Sequence, residues 1–400
     1  MAIYTLAGRW GLNRFLEAPE YLSPFLELRT WTVALLLSIT LISYLRPGLN
    51  SNFNTPTFVL PCIFTILLLT YMFVTSCWAP NSNFLVSKIF EVFLIFTVTL
   101  SVYKLVQVGK LQVLISSFWT CILISSAIMA MLAVLMIIGG ASGRLSVLAG
   151  GPNIFGRIMG FLILASLYFW SKNSANWIFI PLIGVATLLI VLSGSRGALL
   201  ASGFSLIVFL ILSKVKIRRF VVLGVSVALV ISSMLLTSTF YASVTDSFQE
   251  RIFSLLIEEV YTAGREDIYV DALRIGIENP VWGVGLAGFQ AQIGTYPHNI
   301  FLEIFAECGS LGVLFLLFFL TTTLKSIIQN RHNLNPSTVS AFGLIFVACQ
   351  FSGDLFDSRA LFLFSLLALV PHGHPQPMKK EVLLHTPVTL RRQRLTLLQS

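Results

Sequence analysis

One imidazole and a small set of guanidiniums stand at the edges of long apolar runs in this sequence. In "YPHNIFLEIFAECGSLGVLFLLFFL" (296–320), His298 follows Pro297 at the mouth of such a run, and Glu303 and Glu307 lie one helical turn apart on a common face. In "SGSRGALLA" (193–201), Arg196 sits between two apolar runs, flanked by Gly194 and Gly197, which let a backbone approach a ligand closely. "AGRED" supplies Arg265 from a charged stretch, and Arg144 and Arg157 bracket "GGPN" (150–153), a Gly/Pro break where another run begins.

Each residue type suits one part of a group transfer. A guanidinium is a planar fork of donors that matches phosphate oxygens. The first residues of a helix present unpaired N–H groups and a favourable dipole to an anion. An imidazole of ordinary pKa, about 6.5, accepts a proton near neutral pH. Together they could hold a departing phosphate by its charge while a hydroxyl loses its proton on the other side. Magnesium is not required for that, and the sequence shows neither DxD nor HExxH on the relevant side, so no metal and no cofactor is expected. Glu303 and Glu307 fit three roles: orienting His298, pairing with an outer arginine, or forming a plain ion pair inside the membrane. For the arginines the alternative is snorkelling at helix ends.

The elements that must position these groups are membrane helices. The 400 residues are 56% hydrophobic and only 11% charged, with a mean hydropathy of +0.86, too few polar residues to cover a water-facing surface. Apolar runs at 30–45, 57–76, 84–102, 112–138, 153–170, 177–194, 198–213, 220–238, 299–323, 338–353 and 358–371 approach the roughly 20 residues needed to cross a bilayer. Period-two alternation is absent, so the expected fold is all-α, a polytopic transmembrane bundle of about 11–12 spans. The organisation expected is 1–138, N-terminal spans; 139–238, central spans with the SRG block; 239–298, an external loop; 299–371, C-terminal spans; 372–400, a basic tail. Residues 1–29 read as an interfacial helix or a degenerate extra span, and not as a cleavable signal. Within the loop, helical apolar spacing at 252–260 and 268–277 predicts one or two amphipathic helices roofing the bundle.

Basic residues orient the bundle. Threading eleven spans with a cytoplasmic C-terminus places eight of the nine lysines on one side, taken as cytoplasmic. The opposite side receives Arg144, Arg157, Arg196, Arg251, Arg265, Arg274 and Arg359, with a single lysine, Lys88. A nearly pure arginine set outside suggests an anionic ligand. The net charge of +9 follows from this topology bias and the basic tail, and calls for membrane lipids as partners but no nucleic acid. The five cysteines form no CxxC pair and point only to packing. "GVGLAG" (283–288) fits GxGxxG, yet without a preceding strand it reads as a turn. "PHGHP" (371–375) lacks further metal ligands and reads as a polar end, and Asp354, Asp357 and Arg359 in "SGDLFDSRALF" read as a structural external turn.

His298-Asn299, nine residues, Gly309, two residues and Gly312 reproduce the HNx9GxxG pattern and resemble the O-antigen ligase and O-antigen polymerase superfamily of bacterial envelope glycosyltransferases. "GGPNIFGR", "SGSRGALLA" and "GREDIYVDALRIGIENPVWGVGLAGF" are similar to its other blocks, in the same order, over about 140–315. The resemblance implies an inverting transferase at the outer face of the inner membrane. Its donor would be a polyprenyl-pyrophosphate-linked saccharide and its acceptor a glycan or a lipid core. It implies that Arg196 and Arg265 contact the pyrophosphate and that His298 is the base on the acceptor hydroxyl. The family's usual twelve spans with both ends cytoplasmic differ from the eleven read here. The competing classes are a solute or ion transporter, which would need ionisable residues at mid-membrane, and a non-enzymatic assembly factor.

Overall fold

The described residues of the computed structural model are 1–6, 27–45, 56–107, 111–140, 144–147, 151–172, 177–213, 224 and 265–371. Among them the chain forms thirteen helices and no β-strand, and Leu334 and Pro371 form an isolated antiparallel bridge. In the first half these are α1 (Ala2–Leu6), α2 (Leu28–Leu45), α3 (Pro56–Thr75), α4 (Asn83–Gln107), α5 (Leu111–Ile138) and α6 (Gly151–Lys172). Then come α7 (Phe179–Leu192), α8 (Arg196–Leu212), α9 (Glu266–Glu278), α10 (Gly288–Ile293), α11 (Ile300–Asn330), α12 (Pro336–Ala348) and α13 (Arg359–Leu367). The fold is an all-α, polytopic membrane bundle.

Among the described residues five helices, α3, α4, α5, α6 and α11, are long and apolar enough to cross a membrane. The runs expected as spans at 177–194, 338–353 and 358–371 instead give helices of 14, 13 and 9 residues. At about 1.5 Å per residue none of these reaches across the hydrocarbon alone. For the run at 338–353 the reason is visible at its end, where Phe351 keeps the hydropathy high although the chain has left the helix at Ala348 and turns, with Gly353 at φ +86°. Helix α6 is the most enclosed of the long helices; it packs against α5, α7, α8 and α12, while α11 runs along α3. The expected span at 220–238, apart from residue 224, the apolar segment at 252–260 and the tail at 372–400 lie outside the described residues. So does 7–26, while α1 packs its Tyr4 edge-on against Phe356.

Helix α11 is broken, and the break determines what lies above the membrane. Gly309 has φ +64° and ψ −165°, a conformation open essentially to glycine. Four backbone bonds are exchanged there with residues 280–285. Val284 N donates to Ala306 O at 3.0 Å and Gly285 N to Glu307 O at 2.9 Å, while Ser310 N donates to Pro280 O at 2.8 Å and Leu311 N to Val281 O at 3.4 Å. The next carbonyl, Cys308 O, accepts from the Tyr71 hydroxyl at 3.1 Å. The interrupted helix thus keeps its polar backbone groups paired, as a low-dielectric setting demands. The 21 residues after the break extend about 31 Å, enough to cross the bilayer. Residues 300–308 form a separate short helical arm on top.

The loop at 281–288 is a turn, as expected. A Cβ at Gly283 would come within 2.3 Å of the Glu307 carbonyl carbon, so the glycine is there to let two backbones touch. Amphipathic α9 is the one roofing helix of the expected pair that the described residues include. It buries Ala272, Ile275 and Gly276, packing with Phe289 and Ala306 across the short arm of α11.

Candidate functional site

Three consecutive carbonyls in the turn after α12 gather the candidate residues. Ile300 N donates to Cys349 O at 3.1 Å, Asn299 Nδ2 to Gln350 O at 3.3 Å, and Arg265 Nη1 to Phe351 O. The SRG block reaches the same strip, since a Cβ on Gly197 would lie 2.9 Å from Phe351 Cβ. Segments far apart in sequence, around 196, 265 and 298, therefore meet on residues 349–351.

Local sequence explains each arrival. Helix α7 ends at Ser193, Gly194 turns with φ +61°, and the Ser195 side chain caps α8 by accepting from Ala198 N at 3.3 Å. This makes Arg196 the first residue of α8, at the junction of two apolar runs where the sequence placed it. Arg265 immediately precedes α9. Asn299 caps α11, its Oδ1 accepting from Phe301 N and Leu302 N at 2.9 and 3.2 Å. The asparagine of the His-Asn pair thus both starts the helix and ties it to Gln350.

His298 itself has φ +58°, an unusual backbone for a side-chain-bearing residue. Its ring stands 4.6 Å from that of Tyr296, edge to face, and its Nδ1 is buried without a hydrogen-bond partner among the described residues. Partial burial lowers its pKa to about 4, helped by the positive charge of Arg265 and opposed by the carboxylate of Asp354. Arg265 and Asp354 are therefore its electrostatic neighbours, and at neutral pH the imidazole is uncharged and able to take a proton.

Arg144 lies over the SRG turn, 3.4 Å from the carbonyls of Ser193 and Gly194 and from Asn153 Oδ1. Arg157 is buried beside the far end of the 349–358 turn. Its Nη1 donates to Asp357 O at 3.4 Å, while Nε and Nη2 make no hydrogen bond among the described residues. The structure thus brings Arg265 and the segments that carry Arg196 and His298 to one strip, sets Arg144 on the block that carries Arg196, and leaves Arg157 on the far end of the turn.

Glu303 is held differently. Lys88 Nζ donates to Glu303 Oε1 and, at 2.7 Å, to Glu307 Oε1, with all three side chains at most 5% exposed. Of the three roles open to these glutamates, the structure displays the buried ion pair, and with a lysine instead of an arginine. The second oxygen of each glutamate has no partner among the described residues. Sequence reasoning missed this triad because Lys88 is 215 residues from Glu303. The available signal was that Lys88 is the lone lysine on an otherwise arginine side. Asp354 holds the external turn read from the sequence, its Oδ1 accepting from Asp357 N at 2.8 Å, and it also acts electrostatically on His298. Among the described residues no three His, Cys, Asp or Glu side chains converge to hold a metal.

Residues 181–317 match the family model described as O-antigen ligase. No curated protein matches the chain. The matched stretch contains Arg196, Arg265, His298, Glu303 and both motif glycines, and excludes Lys88, Arg144, Arg157 and the carbonyl strip. It supports membership of the O-antigen ligase and polymerase superfamily and, with the membrane bundle, a general role in glycan assembly at a membrane with glycosyltransferase-type activity.

Proposed function

We propose that this protein is a membrane glycosyltransferase that moves a saccharide from a polyprenyl-pyrophosphate carrier to an acceptor hydroxyl, as a ligase or a polymerase of cell-surface polysaccharide. It works at the periplasmic side of the bacterial inner membrane. His298 takes the hydroxyl proton as the acceptor oxygen bonds to the anomeric carbon. The bond from that carbon to the pyrophosphate oxygen breaks from the opposite face, so the configuration inverts. The pyrophosphate leaves with the electron pair, and the guanidiniums of Arg196 and Arg265 stabilise it, which removes the need for a metal or a general acid. Arg144 adds positive charge beside Arg196, and Arg157 adds it from behind the turn. Glu303, committed to Lys88, serves as a wall of the donor site.

The observation that carries this reading is the meeting of the Arg196, Arg265 and His298 segments on one strip of carbonyls at 349–351. A lipid-anchored pyrophosphate rests at the rim of a span, which is where these groups stand. The test is reconstitution in nanodiscs with a polyprenyl-pyrophosphate oligosaccharide, with and without a lipid-core acceptor. A ladder without the core marks a polymerase, and single transfer to the core marks a ligase. His298→Ala is expected to lower turnover by roughly 10²–10⁴-fold, and Arg196→Ala with Arg265→Ala to abolish it. Retained transfer in the double arginine variant would overturn the assignment.

A further inference from the structure

Helix α9 carries two apolar faces, and the bundle covers only one. At about 100° per residue, the buried Ala272 and Ile275 and the partly buried Ile268 lie opposite Val270, Leu273 and Ile277, which are 62%, 45% and 68% exposed. Beside that open stripe, Asp267, Asp271, Arg274 and Glu278 fill an arc of about 60°, with Arg274 bridging Asp271 at 2.8 Å and Glu278 at 3.8 Å. Past the helix the stripe continues into Val281 and Trp282, both exposed.

Both ends of the helix are fastened at the bundle's rim. Arg265, just before its first turn, binds Phe351 O, three residues past the end of apolar α12. After its last turn, Trp282 meets Trp78 edge-on at 6.3 Å, and Trp78 Nε1 donates to Gly283 O at 3.3 Å. Trp78 stands three residues past the end of α3, a membrane-crossing helix, and is itself 40% exposed. Two partly exposed tryptophans at the end of a span mark the membrane–water boundary. A helix tied at both ends to that level lies along it, with one apolar stripe inward, one outward and a charged flank between.

We infer that α9 is an interfacial helix whose Val270–Leu273–Ile277 stripe, continued by Val281 and Trp282, docks into the headgroup and upper acyl layer of the lipid bilayer. The occupant is lipid because the stripe is continuous with the tryptophan pair at the end of a span, and because its polar flank runs alongside as it does in helices that float in an interface. Arg265, at the start of the helix, is thereby held at phosphate height. The inference rests on the membrane architecture and is independent of the proposed reaction.

The test is depth-resolved quenching. In a Cys77→Ser/Cys121→Ser background, which removes the exposed thiols, single variants Leu273→Cys, Ile277→Cys, Asp267→Cys and Glu278→Cys are labelled with an environment-sensitive fluorophore. Each is placed in nanodiscs containing lipids with a nitroxide near the top of the acyl chain. Labels at 273 and 277 are expected to be quenched at least about threefold more than labels at 267 and 278, as seating some 5–10 Å into the boundary requires. Leu314→Cys, on the lipid-facing side of α11, is the positive control. Strong quenching at 314 with no difference between the two α9 faces would overturn the inference, and a stripe shielded from both water and nitroxide would assign it to protein instead.

Discussion

Replacing Gly309 by alanine tests whether the break in α11 holds the upper arm in place. At φ +64°, ψ −165° a side-chain-bearing residue costs about 1–3 kcal/mol of backbone strain. The new Cβ would also stand 2.3 Å from Val281 O and 2.7 Å from Gly283 N. Neither is the end of a flexible side chain, so residues 281–285 must withdraw and weaken the exchanged backbone bonds to 306, 307, 310 and 311. Losing two of these at about 1 kcal/mol each, added to the strain, gives a destabilisation of roughly 3–5 kcal/mol. For a chain of 400 residues that corresponds to a fall in melting temperature on the order of 4–6 °C. Thermal unfolding in nanodiscs measures it, and hydrogen exchange at Val284 and Gly285 reports whether the loop has let go. Gly203→Ala is the control: a Cβ there meets nothing within 4 Å, and in a helix the change stabilises by about 0.5–1 kcal/mol. A Gly309→Ala protein with unchanged melting and unchanged exchange would show that the break is not held by the loop.

Further outcomes follow from the charges and caps around it. Because His298 ionises near pH 4, it is deprotonated throughout the neutral range, so kcat/KM should stay on its plateau down to about pH 5 and fall below it. Arg265→Gln removes a charge that depresses the imidazole, moving this acid limb up in pH, whereas Asp354→Asn moves it down; a limb fixed near 6.5 in all three proteins would contradict the site electrostatics. Lys88→Met strands two buried glutamates without a counter-charge and should cost about 3–5 kcal/mol in thermal unfolding, most of it regained when Glu303→Gln and Glu307→Gln are added. Asn299→Ala should lose about 1 kcal/mol as a helix cap is removed and lose transfer activity as well, while Asn299→Asp should keep the cap and lose only the tie to Gln350, a split readable by comparing melting with turnover.

Hydropathy made the bundle legible, because apolar runs of membrane length are rarely stable anywhere but in a bilayer, and α3, α4, α5 and α6 stand where the runs predicted. It failed where apolar side chains continue through a turn. Cys349 to Gly353 read as the end of a span, yet the helix stops at Ala348 and Gly353 stands at φ +86°. Arg196 was legible at the junction of two apolar runs and His298 at the mouth of a third, because span ends and glycine turns are written within a few residues; the Asn299 cap was seen only in the structure. The carbonyl strip was not legible, since its donors come from 265, 299 and 300 and its acceptors from 349–351, pairings without local pattern. Gly309 was legible as a motif position, but not as a break, because what it approaches is a loop nearly thirty residues earlier.

The triad beneath the rim has a consequence for the arginines above it. Glu303 and Glu307 sit on the same helical arm that His298 begins, and free carboxylates there would draw Arg265 or Arg196 into a permanent ion pair. A guanidinium already neutralised that way offers little to an anionic donor. Lys88 engages one oxygen of each glutamate at a depth where at most 5% of any of the three side chains is exposed, holding the acids below the rim. Arg265 is instead braced by a neutral acceptor, Phe351 O, which fixes its geometry without cancelling its charge. On this argument exchanging Lys88 for methionine damages donor binding even where the fold survives. In a Lys88→Met/Glu303→Gln/Glu307→Gln protein, which has no free acids to release, the KM for a polyprenyl-pyrophosphate donor should remain near that of the parent. In Lys88→Met alone it should rise by about tenfold, since roughly 1.4 kcal/mol of lost attraction suffices for that change. Equal KM values in the two proteins would mean the triad is a packing device with no influence on the arginines.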